Sequence, residues 1–115
     1  MKAITWDSIE PEQLNDKIRR QALHGASGTY SRLHLQRGGF VPRHEHVAEQ
    51  LCTVLSGSLR FVFDDREVIV KGGEMLLIPP SVPHAAEALE DSWVIDIFAP
   101  RREDWVRGDD AYLRR

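Results

Sequence analysis

The sequence predicts an all-β chain, and three observations carry that expectation. Short runs such as TYSRLHLQ and SLRFVF alternate polar and apolar residues with the period of a strand, and Gly- or Pro-containing breakers separate them. Helix is confined to about a turn near the N terminus and a short stretch in the tail.

Each element follows from local chemistry. Between Trp6 and Leu14 a cap is available at Asp7 or Ser8, but Pro11 limits any helix, so the segment reads as an irregular N-terminal arm. Lys17–His24 and the run after Gly25-Ala26-Ser27-Gly28 read as two early strands. In the second, Leu33 and Leu35 share one face and Arg32, His34 and Gln36 the other, without indicating which looks inward. Leu51–Leu55 is a strand-like run that ends at Ser56-Gly57. SLRFVFDDREVIV reads as a hairpin turning at Asp64-Asp65. Glu74–Ile78 is a short apolar strand stopped by Pro79-Pro80. A turn near Glu90-Asp91 precedes a last strand, Trp93–Phe98. The tail PRREDWVRGDDAYLRR then starts a short C-terminal helix, with Pro100 near its first turn and Gly108 as its breaker. No internal repeat or low-complexity segment is present.

Composition narrows the class. A length of 115 residues suits a single domain, 1–115, with a modest core. Hydrophobic residues at 42% and charged residues at 29% describe a soluble globular chain. A net charge of -3 offers no basic field, so no nucleic-acid partner is expected. No apolar run approaches the roughly 20 residues that span a bilayer. MKAITWDSIEPEQ lacks the apolar centre of a signal peptide, so the expected setting is cytoplasmic and away from membranes. The single cysteine, Cys52, excludes an internal disulfide and suits a reducing compartment.

Two stretches carry chemistry. In GGFVPRHEHVAEQLCTVLSG, from Gly38 to Gly57, His44 and His46 lie two apart, which on a strand points both imidazoles to one face, and Glu49 and Gln50 follow a short turn. In GEMLLIPPSVPH, from Gly73 to His84, a third histidine lies beyond a strand and a proline bend. Alone, each histidine would read as a core or surface residue. Together with one oxygen donor they suit Zn, Ni, Fe or Cu and leave positions open for water or substrate. His24 and His34 lie outside both stretches, and Cys52 reads as a small core hydrophobe.

These stretches resemble the two cupin motifs, in order and spacing, through Gly38, His44, His46, Gln50 and Gly57, and then Gly73, Pro79, Ser81 and His84. Gln50 stands where most cupins carry glutamate, and Ser81 where they carry glycine. The resemblance implies a small antiparallel β-barrel or jelly roll with one divalent transition metal in its mouth, Ni, Zn, Fe or Mn. Residues 49 and 50 face opposite ways on a strand, and only Gln50 keeps the cupin offset to Gly57, so Gln50 is the expected fourth ligand. Three neutral imidazoles and a neutral amide leave a dication uncompensated, which favours an anionic small-molecule substrate.

HxHxxxQ combined with the C-terminal DxFxPxRED is similar to the pectin-degradation (KdgF-like) cupins, which linearise unsaturated uronates. The resemblance implies His44, His46, Gln50 and His84 as metal ligands and Asp96, Phe98 and Arg102 as pocket residues. Alternation places Asp96 and Phe98 on one strand face but does not say whether that face looks inward. The expected function is therefore a metal-dependent cupin enzyme acting on a small carboxylated sugar-like substrate by hydration and ring opening. Asp96 would shuttle a proton, Arg102 bind the carboxylate and Phe98 form the apolar wall. The alternatives are a cupin dioxygenase with a redox metal and a non-catalytic small-molecule or metal-binding cupin. Cupins of this size commonly associate, so a homodimer is expected.

Overall fold

Turn chemistry sets where each strand stops. The computed structural model describes residues 1–115 and has ten strands: β1 (Glu12–Asn15), β2 (Ile18–His24), β3 (Thr29–Leu35), β4 (Phe40–His44), β5 (Glu49–Ser56), β6 (Ser58–Phe63), β7 (Glu67–Lys71), β8 (Met75–Ile78), β9 (His84–Ala88) and β10 (Ser92–Ala99). One helix, α1 (Glu103–Arg107), follows, and 3-10 turns occupy Trp6–Ser8 and Ala111–Arg114. The strands form a six-stranded sheet, β1-β2-β3-β10-β5-β8, and a four-stranded sheet, β4-β9-β6-β7. Every pairing is antiparallel, as the all-β reading requires.

Strand parity decides what enters the space between the sheets. On β3, Leu33 and Leu35 turn inward with Thr29 and Ser31, which settles the face that alternation left open. On β5 the buried set is Gln50, Cys52 and Val54, and on β10 it is Ser92, Val94, Asp96 and Phe98. Leu33, Leu35, Val54, Leu59, Phe61 and Val94 belong to one apolar cluster. The register Asp96↔Cys52 and Phe98↔Gln50 sets four inward residues side by side where that core gives way to polar groups. This end of the sandwich carries the candidate site.

Two strands lie where the sequence reading had none. The last residues of the supposedly irregular arm form β1, because Leu14 is buried and Glu12 and Gln13 pair with Arg20 and Arg19 of β2. HAAEA forms β9, between β4 and β6. Alanine has low intrinsic β propensity, so the strand is masked in sequence, yet small residues suit a position where Ala85, Ala86 and Ala88 are all buried. The tail helix occurs as expected before Gly108, whose φ of 79° lets its N–H reach the carbonyls of Asp104 and Trp105.

The motif positions Gly57 and Ser81 have conformational reasons. Gly57 has φ 90°, and a side chain there would overlap the Ser92 hydroxyl. Ser81 has φ 59°, the left-handed region that disfavours every residue with a Cβ, while its N–H donates to the His46 carbonyl at 2.8 Å. Glycine fits this conformation better. Ser81→Gly is expected to raise stability by up to about 1 kcal/mol, the relief of strain being partly offset by the greater unfolded-state entropy of glycine. Thermal melting checks this, and a lower melting temperature would contradict it.

Candidate metal centre

Two strand ends and one turn aim three imidazoles at one point. His44 ends β4 and His84 begins β9, where the two residues are register partners, while His46 lies beyond the strand. Strand alternation therefore does not bring His44 and His46 together, contrary to the sequence expectation. Their aim comes from backbone hydrogen bonds. Nδ1 of His44 meets the Pro42 carbonyl at 2.8 Å, Nδ1 of His46 the Ala48 carbonyl at 2.8 Å and Nδ1 of His84 the Val82 carbonyl at 2.7 Å. A carbonyl only accepts, so each Nδ1 carries the proton and each Nε2 keeps its lone pair. Ligand atoms of the three histidines lie within 4.8 Å of one another.

Burial keeps these rings neutral. It draws His44 down to about 4 despite the opposing bond to Pro42, and it draws His46 to about 4 with help from the Arg102 charge. Burial lowers His84 as well. Three desolvated imidazoles with converging lone pairs form a donor set for a transition-metal cation.

Gln50 lies beside the three histidines and supplies an independent test of fit. It is buried, whereas its neighbour Glu49 is exposed. Its Nε2 donates to Oδ1 of Asp96 at 3.0 Å, which turns its Oε1 toward Nε2 of His46 at 3.1 Å. With the His46 proton on Nδ1, both of these facing atoms are acceptors. Two lone pairs held that close call for a cation between or beside them, and a divalent metal fits.

The remaining expected residues surround the same mouth. Asp96, Phe98 and Arg102 are buried at 7%, 2% and 3% exposure, so the face of β10 that carries Asp96 looks inward. Burial raises the Asp96 carboxyl to about 6, against hydrogen bonds from Gln50 and Cys52 that favour the anion. Cys52 is buried beside it, and its thiol is pushed up by burial and by the Asp96 charge. Phe98 meets His46 edge-on, with ring centroids 5.5 Å apart.

Arg102 is held firmly. Nε and Nη2 donate to Asp104 at 2.9 and 2.7 Å, Nη2 also donates to the Tyr112 hydroxyl at 2.7 Å, and the guanidinium lies over Phe98 and Trp105. Nη1 is the nitrogen left for a ligand. Neither His24 nor His34 reaches the site, since His24 bonds Thr29 and His34 packs on Trp93.

Sequence reasoning missed the part played by the tail. Tyr112 stacks on His44 with centroids 4.7 Å apart, and Trp105, Tyr112 and Leu113 line a cavity of about 60 Å³ together with His44, His84, Asp96 and Arg102. That space holds a handful of waters at about 10–15 Å³ each. An adjoining cleft of about 440 Å³ shares Arg102, reaches His46 and adds Arg101 and Arg107. A latch holds the tail in place: buried Arg20 donates to buried Asp110 at 2.7 Å, and Asn15 bonds the Leu113 carbonyl at 3.2 Å. These partners lie 90 or more residues apart, and the only sequence signal was an arginine inside a strand-like run.

The two facing sheets and the histidine-lined mouth define a small β-sandwich protein with a candidate metal centre at one end. Residues 31–98 match the cupin domain family, and the chain belongs to it. It is similar to KdgF from Halomonas sp., with a TM-score of 0.79 and 27% identity over 86% of this chain and 94% of that one. An RmlC-like cupin from Shewanella frigidimarina aligns with a TM-score of 0.81 and 24% identity over 89% and 93%. The polyketide cyclase RemF from Streptomyces resistomycificus shares the fold, with a TM-score of 0.74 and 22% identity over 87% and 79%. No curated protein matches the sequence. The chain thus has a KdgF-like small-cupin fold. No helix is long and apolar enough to cross a membrane.

Proposed function

We propose that this chain is a metal-dependent enzyme that acts on a small carboxylated, sugar-like substrate, and that its reaction is the linearisation of unsaturated uronates. The observation that carries this reading is the gathering of Asp96, Phe98 and Arg102 around the three-histidine mouth. A divalent metal held by His44, His46, His84 and Gln50 Oε1 would supply Lewis acidity and a polarised water. Arg102 Nη1 would pair with the substrate carboxylate, and Phe98 would wall off solvent. Asp96 would protonate the ring carbon of the enol ether and recover a proton from the water that adds at the neighbouring carbon. The resulting hemiketal opens to a ketone, and the released ring oxygen leaves the anomeric carbon as an aldehyde hydrate that loses water, so one water is consumed and one returned and the net change is an isomerisation.

The test is incubation of metal-loaded protein with unsaturated uronates, following loss of the conjugated double bond. Turnover that stops on chelation supports the reading. Metal-dependent oxygen consumption without uronate turnover would replace it with the dioxygenase alternative, and ligand-induced thermal stabilisation without any turnover would replace it with a binding protein.

We also propose that the chain acts as a homodimer in the cytoplasm. Register aligns Leu23, Tyr30, Ile97, Leu51 and Leu77 in one row across the outer face of the larger sheet. All but the half-buried Leu51 are exposed. On β10 the outward residues Trp93, Ile95 and Ile97 are all apolar, unlike those of a solvated face. A row crossing the middle of a sheet is self-complementary about a twofold axis. Light scattering should give a dimer, and Ile97→Lys with Leu77→Lys a monomer. A monomeric parent protein at micromolar concentration would remove the interface.

A further inference from the structure

We propose that Asp96 is a positioning residue that dictates an amide at position 50 and fixes Gln50 Oε1 toward the metal. The inference rests on the metal reading above and explains why this chain departs from the cupin glutamate. Asp96 looks inward from β10 and Gln50 from the neighbouring strand β5, and both are buried. At the 3.0 Å contact Gln50 presents its N–H to Asp96 Oδ1. The amide is planar, so its oxygen must then face the histidines, where it stands 3.1 Å from His46 Nε2. Cys52 lies opposite Asp96 on β5.

A glutamate at position 50 would set acceptor against acceptor across the same 3.0 Å contact, in a buried place with no donor to spare. Asp96 and Gln50 are therefore a matched pair, and the identity of one constrains the other.

The test compares the parent protein with Asp96→Asn, Asp96→Leu, Gln50→Glu and the double variant Gln50→Glu/Asp96→Asn. Zn²⁺ affinity is read by competition with a chromophoric chelator, and ligand geometry by the visible spectrum of the Co²⁺ form. The introduced asparagine can still accept from Gln50, so Asp96→Asn should bind nearly as the parent does. Asp96→Leu frees the amide and should weaken binding about tenfold or more. Gln50→Glu alone should bind at least about tenfold more weakly than the double variant, in which the introduced amide donates to the introduced carboxylate.

Additive effects of Gln50→Glu and Asp96→Asn, within about twofold, would overturn the pairing while leaving the metal site standing. A parent protein that takes up no metal would overturn the site and the pairing together. Should Asp96→Leu fail to fold by circular dichroism, the single-against-double comparison at position 50 decides alone.

Discussion

Under the proposed function, replacing Asp96 with Asn is expected to lower uronate turnover by about 10²–10⁴-fold, the range for loss of a positioned acid or base, while one metal per chain is retained. Asparagine keeps the shape of the side chain and can still accept from Gln50, so the ligand set survives. What disappears is the exchangeable proton beside the cavity. Asp96 is suited to that role because burial holds its carboxyl at about 6, close to neutral pH. Turnover assays on metal-matched preparations check this. Retained activity at full metal occupancy would remove the proton shuttle, and lost metal would place Asp96 in the binding site rather than in proton transfer.

Removing the tail latch is expected to have the largest effect on stability. Asp110→Ala leaves Arg20, with 3% of its side chain exposed, facing only the half-exposed Glu12. Breaking a buried pair on one side costs about 3–5 kcal/mol, and the surviving Glu12 contact favours the lower end. The melting temperature should fall by roughly 10–20 °C. Burial alone would raise the Asp110 carboxyl, but hydrogen bonds from Arg114 and Arg20 hold it below its ordinary 3.8. A depressed carboxyl contributes its stability above the ordinary value and loses it as pH falls through the lowered one. The gap between variant and parent should therefore be full at neutral pH and narrow below about pH 4. A gap unchanged at pH 2 would locate the effect elsewhere. Catalytic efficiency should fall with the latch, because Tyr112 and Arg102 share the tail it secures.

The site was legible where short motifs carry it and obscure where distant residues build it. His44, His46, Gln50 and His84 stand out because their spacing resembles the cupin motifs, and Asp96, Phe98 and Arg102 because the tail resembles that of the KdgF-like cupins. Alternation could not choose between faces, since β10 carries Ser92 and Asp96 inward and Trp93 and Ile97 outward. Val94 and Phe98 also face inward, so both faces of the strand carry apolar residues. HAAEA hid β9 for a related reason, as small residues in a crowded strand lack the β-branched signature. Arg20 and Asp110 look like surface charges in sequence, and only the return of the tail across the sheet buries them together. Tyr112 was invisible for the same reason.

Elemental analysis of the purified, divalent-ion-reconstituted protein alongside His44→Ala/His46→Ala tests the central claim most directly. The three converging Nε2 lone pairs and the Gln50 oxygen facing His46 predict close to one transition metal per chain in the parent and none in the variant. Both proteins should remain folded by circular dichroism. A folded parent that takes up no metal, or a variant that keeps it, would contradict the assignment and make the histidine cluster a structural feature of the fold.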